Sequence, residues 1–158
     1  MTTDISFYFL NNLNLNLLIC SLITQYYHSK NHIYILCDSK LACYDLDEYI
    51  INFQQEKLKS NFFPYQLVLS DEPVGPIPPA PICLGHEANQ DLSFKLKYDI
   101  LINLAQIIPH DFLRYKKILE FIPGDLNKEA RIVAREHYKH YIKFNCHIQT
   151  INNQYEPS

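Results

Sequence analysis

Apolar and polar residues occur along the chain in blocks that predict strands and helices in alternation. Residues 5 to 10, ISFYFL, form a short β-rich run, and LNLNLLICSLITQYYHSK then repeats apolar positions at helical spacing. HIYILC is a near-continuous apolar run typical of a buried parallel strand, and the Asp38-Ser39 pair can cap a second helix, KLACYDLDEYIINF. The order β-α-β-α predicts a parallel pair of strands joined by a right-handed helical crossover.

The second half of the chain continues this pattern after an irregular segment. Five of the nine prolines fall within residues 73 to 81, which predicts a long surface loop with a short strand on either side. Beyond it, YDILINL predicts another buried strand, PHDFLRY a short turn or helix, and KKILEFIP a strand that Pro123 ends. FNCHIQTI predicts a last strand. We therefore expect one α/β domain over residues 1 to 152 and a flexible polar tail over residues 153 to 158.

Composition supports one folded domain and limits what it can bind. The chain has 158 residues, of which 47% are hydrophobic and 13% aromatic, enough for a single sizeable core. Its net charge of −3 gives no general attraction to nucleic acid or membranes, so an anion site has to be local. No apolar stretch reaches the roughly 20 residues that span a bilayer, and no secretion signal is visible. The five cysteines form no CxxC pair, which favours a reducing, cytoplasmic compartment.

The stretch FIPGDLNKEARIVAREHYKHYIKF, residues 121 to 144, separates two faces of one predicted helix. This helix should run from Leu126 to about Lys143, with Asp125 as its N-cap. At about 100° per residue, a mostly apolar arc should pack on the sheet, formed by Leu126, Ala130, Val133, His137, Tyr141 and Phe144. A separate stripe should face water, formed by Arg131, Arg135, Tyr138 and Ile142, with Lys128 and Lys139 beside it.

The water-facing stripe carries two chemistries that could act together. Two guanidinium groups one helical turn apart can hold a carboxylate or phosphate in bidentate fashion. The ring of Tyr138 and the side chain of Ile122, at the end of the preceding strand, could line an apolar pocket beside them. Glu129 and Glu136 are interspersed, however, and such a charge pattern by itself is more typical of a solvated helix face.

Several motifs resemble one protein family in their order and approximate spacing. YDILINL, LEFIPGD and AREHYKHY followed by FN resemble the C-terminal half of the chi subunit of bacterial DNA polymerase III, and FYFL, CYDLDE and FFPYQL resemble its N-terminal half. The resemblance implies a non-catalytic, single-domain Rossmann-like fold, with a mostly parallel sheet and helices on both faces. It also implies an adaptor in DNA replication that touches nucleic acid only indirectly and needs no cofactor.

The resemblance further implies two partners and a set of contact residues. The family binds the psi subunit, which connects it to the clamp loader, and the acidic C-terminal tail of single-stranded DNA-binding protein, which ends in Phe and a free carboxylate. Residue by residue, the tail site becomes Ile122, Arg131, Arg135 and Tyr138, although the interval between FIP and ARE is slightly longer than usual in the family. The psi site becomes Phe62 and, more loosely, Ile51, unless both are simply core residues beneath the proline loop.

Other functions have weaker support in the residues. A dinucleotide site needs a glycine-rich loop after the first strand, but the first turn is NNLNLN and the glycines lie elsewhere, at Gly75, Gly85 and Gly124. A metal site is not expected, although four candidate ligands lie close in sequence, His137, His140, Cys146 and His147, because the last two are adjacent and would point to opposite faces of a strand. Two alternatives stay open: a small α/β enzyme or nucleotide-binding protein with the arginine stripe as its anion site, and direct binding of single-stranded nucleic acid, which would need more stacking aromatics.

Overall fold

The computed structural model describes residues 2–10, 14–58, 62–68, 80–86, 98–124 and 128–152. These residues contain seven strands and three α-helices, which in chain order are β1 Asp4–Phe9, α1 Leu15–His28, β2 Ile33–Leu36, α2 Lys40–Phe53, β3 Tyr65–Val68, β4 Ile82–Gly85, β5 Ile100–Asn103, β6 Lys117–Ile122, α3 Lys128–Lys143 and β7 His147–Asn152. A π-turn continues α2 over Gln54–Leu58, and a short 3-10 helix, Phe112–Arg114, precedes β6.

The strands form one sheet in the order β3-β4-β2-β5-β6-β1-β7, and every neighbouring pair is parallel. The predicted α/β class with a parallel sheet is therefore confirmed. The prediction that the first two strands pair directly is wrong, because β5 and β6 lie between β2 and β1. A strand that is buried on both faces needs a neighbour on each edge, but its local pattern does not specify which strand that neighbour is.

Helices cover both faces of this sheet, as expected. On one face α1 and α2 bury Ile23 and Leu46 against side chains that include Ile35. On the other face α3 buries Tyr141 against side chains that include Phe7. Each strand therefore contributes alternate residues to two separate hydrophobic cores, which explains the near-continuous apolar runs of the central strands.

Side-chain caps and left-handed backbone conformations set several helix ends. The Asn14 side chain accepts from the backbone N–H groups of Asn16 and Leu17 at the start of α1. The Ser39 hydroxyl accepts from the Ala42 N–H at 3.1 Å, which confirms the predicted cap of α2. After α3, Asn145 adopts φ 57°, a left-handed conformation that asparagine tolerates well, and the chain turns into β7.

Some predictions lie outside the described residues. They concern the cap at Asp125, the helix start at Leu126, most of the proline loop (residues 73 to 79) and the polar tail (residues 153 to 158).

Candidate functional site

The inner face of α3 differs in part from the predicted arc. His137 and Tyr141 are buried as expected, and so is Ala134, which the arc did not include. Phe144 was assigned wrongly to the packing face, since its side chain is 48% exposed. It lies just beyond the last turn, where its ring packs edge-on against Phe112 at 5.2 Å instead of against the sheet.

The opposite stripe of α3 faces water, as predicted. Arg135 is exposed, and so are Tyr138 and Ile142, whereas Arg131 is half-buried. Tyr138 and Ile142 therefore expose apolar surface to water on the side of α3 that also carries the cationic residues.

The four residues predicted for a binding site meet at one concavity, which we call the α3 hollow. It has a volume of about 400 Å³ and lies between α3 and the strands β6, β1 and β7. The side chains that line it are Phe7, Phe9, Ile122, Arg131, Ala134, Arg135, Tyr138, Lys139 and Thr150. Ile122 therefore lies with the helix residues in the folded chain, although the sequence left its distance from them open.

Strand register explains the floor of the α3 hollow. Phe9 pairs with Ile122 of β6, and Phe7 pairs with Thr150 of β7. Because residues two apart on a strand share a face, Phe7 and Phe9 both point towards α3. Sequence reasoning missed the two phenylalanines and Thr150. Their alternation along β1 is visible in the sequence, but only the pairing of distant strands places them next to Ile122.

A ring contact links Tyr138 to this floor. Its ring centre lies 5.7 Å from that of Phe7, with the planes inclined at 58°. Phe7 is 1% exposed, so Tyr138 leans on a fixed neighbour while 43% of its own side chain stays accessible. An aromatic ring that enters the hollow could therefore contact the accessible parts of Tyr138, Phe9 and Ile122.

The charges around the α3 hollow have one sign. Three cationic side chains line it, Arg131, Arg135 and Lys139, and none of the described lining residues is acidic. Lys139 lies 3.8 Å from the exposed carboxylate of Glu136, which offsets part of the lysine's charge. The hollow thus combines an apolar floor with a cationic rim, which suits a ligand carrying an apolar group beside an anionic one.

A second concavity lies on the other side of the seam between α3 and the sheet. We call it the acidic hollow, because Asp38, Glu120 and Glu129 line it; its volume is about 390 Å³. It lies where β5 and β6 end, and Ala134 lines both hollows.

A buried polar network forms the base of the acidic hollow. Glu120 accepts from Tyr141 Oη at 2.5 Å and from Asn103 Nδ2 at 2.9 Å, both at Oε2. Its other oxygen, Oε1, lies 3.0 Å from His137 Nδ1, and His137 Nε2 lies 2.7 Å from the carbonyl oxygen of Gln106. The network connects α3 to β6, to β5 and to the segment after β5. It also provides hydrogen-bond partners for buried polar groups, which would be destabilising if they were left unpaired.

The residues predicted for the second partner are exposed at the surface. Phe62 is 54% exposed and Ile51 is 42% exposed, so the alternative that both are core residues is wrong. The side chain of Gln54 accepts from the Phe63 N–H at 2.9 Å, which ties the residue after Phe62 to the end of α2. Leu41 and Tyr44 are two further exposed apolar residues of α2, and we call the four residues the α2 surface.

Other chemistry is limited within the described part of the chain. No group of three or more His, Cys, Asp and Glu side chains there could hold a metal ion. The helices among these residues are too short or too polar to cross a membrane. All five cysteines are free.

Comparison with known proteins gives the chain its family. No curated protein sequence matches it. A family model described as DNA polymerase III chi subunit, HolC, matches residues 1–149 of the 158. That match covers every strand and helix except the last three residues of β7. The chain belongs to the chi-subunit family of DNA polymerase III, a family of DNA replication.

Proposed function

We propose that this protein is a non-catalytic adaptor of the DNA polymerase III holoenzyme. It binds the C-terminal tail of single-stranded DNA-binding protein in the α3 hollow, and it binds the psi subunit, and through it the clamp loader, at the α2 surface. The observation that carries the proposal is the meeting of Ile122, Arg131, Arg135 and Tyr138 at one concavity. We place the protein in the cytoplasm, where the bacterial chromosome is copied.

The tail has the two groups that the α3 hollow accommodates. Its terminal Phe side chain would occupy the apolar floor between Phe9 and Tyr138, and its carboxylates would face Arg131 and Arg135. A volume of about 400 Å³ lies within the usual range of ligand pockets. Electrostatic attraction would speed encounter and weaken as salt screens it, whereas the apolar anchor would provide specificity.

The location of the two surfaces supports a bridging role. The α3 hollow lies on the α3 face, next to β1 and the edge strand β7. The α2 surface belongs to the other face, and Phe62 lies just before the opposite edge strand, β3. Two partners bound in this way would not compete for space, so we expect both to bind one molecule at the same time.

The proposal is tested by titrating the chain with a peptide that copies the tail. Arg135→Ala should weaken binding by roughly 1–3 kcal/mol, about 5- to 150-fold, because a charge-assisted hydrogen bond is lost. The fold should persist because Arg135 is exposed. Arg135→Lys keeps the charge without the bidentate geometry, so its affinity for the peptide should lie between those of the unaltered protein and Arg135→Ala. Lys143→Ala, which removes an exposed cation of α3 outside the hollow, is the matched control. Unchanged affinity in Arg135→Ala would reject this site.

A peptide without its terminal Phe separates this proposal from the alternatives. An adaptor should lose most of its binding when that Phe is removed, because the apolar anchor is absent. A phosphate or nucleotide site built on the same arginines would bind inorganic phosphate or nucleotides and be indifferent to the Phe. A single-stranded oligonucleotide tests direct nucleic-acid binding in the same assay.

A further inference from the structure

The buried polar network and the α3 hollow share two elements, α3 and β6, and each element contributes residues to both. His137 of the network directly precedes Tyr138 of the hollow on α3. Glu120 of the network and Ile122 of the hollow are two residues apart on β6 and so share a face of the sheet. Any displacement of α3 relative to β6 at the network would therefore change the separation of Tyr138 from Ile122.

The atoms around His137 specify its protonation state. A carbonyl oxygen can only accept, so Nε2, 2.7 Å from the Gln106 oxygen, has to carry a proton. Nδ1 faces Glu120 Oε1 at 3.0 Å, while the other oxygen of Glu120 already accepts from Tyr141 and Asn103. A hydrogen bond between Nδ1 and Oε1 needs one proton, and because Glu120 already acts as an acceptor in its two other hydrogen bonds, we assign that proton to Nδ1. His137 is then an imidazolium that donates from both nitrogens in a buried ion pair.

We infer that His137 and Glu120 are positioning residues for the tail: the charged pair holds α3 at the position where Tyr138 meets Ile122, so tail affinity follows the protonation of His137. This inference rests on the proposed function of the α3 hollow. The pair itself does not line that hollow, and it acts only through the helix and strand that carry the contact residues.

The groups that face His137 set the direction of the pH dependence. Burial lowers the pKa of His137, but the hydrogen bond and charge of Glu120 and the Gln106 carbonyl outweigh it, so this pKa is raised above the ordinary 6.5. Burial and Glu120 hold the pKa of Tyr141 well above its usual value, so Tyr141 stays protonated. Asp38 and Glu129 are the other acidic side chains that line the acidic hollow together with His137. The pair is complete below about pH 6.5 and is lost as pH rises through the raised pKa of His137.

The test uses the full chain and two readouts. Nitrogen chemical shifts of the His137 ring, followed by NMR from pH 5.5 to 9, should show both nitrogens protonated at the acidic end and one titration with a midpoint above the ordinary 6.5. Affinity for the tail peptide should fall about fivefold through that same titration. By linkage, the bound peptide should raise the pKa of His137 by the logarithm of this ratio, about 0.7 of a pH unit.

Variants separate positioning from general effects. Glu120→Gln keeps the size of the side chain but removes its charge, so the pH dependence of tail affinity should flatten. His140→Gln changes another histidine of α3, which packs on Phe112 and Phe144 away from the hollow, and should keep the profile of the unaltered protein. A His137 that titrates at or below pH 6.5, or affinity that stays flat while His137 titrates, would overturn the inference alone. Absence of tail binding at every pH would overturn the proposed function as well.

Discussion

Tyr138→Ala tests whether the α3 hollow receives the terminal ring of the tail. The substitution removes one of the four large apolar side chains that line the hollow, the others being Phe7, Phe9 and Ile122. Because Tyr138 is 43% exposed and leans on Phe7 from outside, the fold should remain intact, with a loss of about 1 kcal/mol for one ring contact.

The expected loss of affinity follows from the lining of the hollow. Burying a Phe side chain contributes about 1.5–3 kcal/mol, of which Tyr138 supplies about a quarter as one of four walls. A ring-to-ring contact adds about 0.5–1.5 kcal/mol beyond the buried area. Together these give about 1–2 kcal/mol, so affinity should fall about 5- to 30-fold. Tyr138→Phe keeps the ring, removes only the hydroxyl, and should leave affinity within about twofold of the unaltered protein.

A double-mutant cycle makes the assay specific for this contact. Calorimetric titration is performed with the unaltered protein and with the Tyr138→Ala variant, each against peptides that end in Phe or in Ala. If the two rings touch, the two changes should be non-additive, with a coupling of about 1 kcal/mol or more. Additive effects would show that Tyr138 does not contact the terminal residue and would refute the placement of the ring, even if each change weakened binding by itself.

Three further predictions concern the α2 surface, the sheet and pH. Phe62→Asp should weaken co-purification with a psi partner by about tenfold or more, yet leave tail affinity unchanged, because the two surfaces lie on different faces. Gly85→Ala should lower the midpoint of thermal unfolding, since the added Cβ would lie 2.7 Å from the Tyr34 hydroxyl and 3.3 Å from its ring; an unchanged midpoint would contradict that packing. Denaturant titrations should show that Glu120→Gln loses more stability below about pH 6.5 than above the raised pKa of His137, and an equal loss at both would contradict the ion pair.

Local pattern determined the elements of this protein and the polarity of their faces. Apolar runs and helix caps such as Ser39 can be identified from neighbouring residues. Strands and helix ends depend largely on short-range sterics and local hydrogen bonds. Helical periodicity likewise placed Arg135 and Tyr138 on an exposed stripe of α3, and the order of short motifs indicated the family.

Strand order and register were decided by the tertiary structure. In the sheet, β5 and β6 lie between β2 and β1. The floor of the α3 hollow is formed where Phe9 pairs with Ile122 and Phe7 pairs with Thr150. These contacts join residues more than 100 positions apart, and the apolar pattern of a strand buried on both faces is compatible with many neighbours.

The same reason explains the network that supports α3. The sequence pattern placed His137 on the inner face of a helix and Glu120 in a strand. Neither pattern indicated that the two side chains would be in contact. The sequence by itself determined, with Ala134 and Phe144 as exceptions, which side chains of α3 face the sheet and which face water. Only the folded sheet decided which of them meet, because burial selects partners by the packing of whole elements rather than by local order.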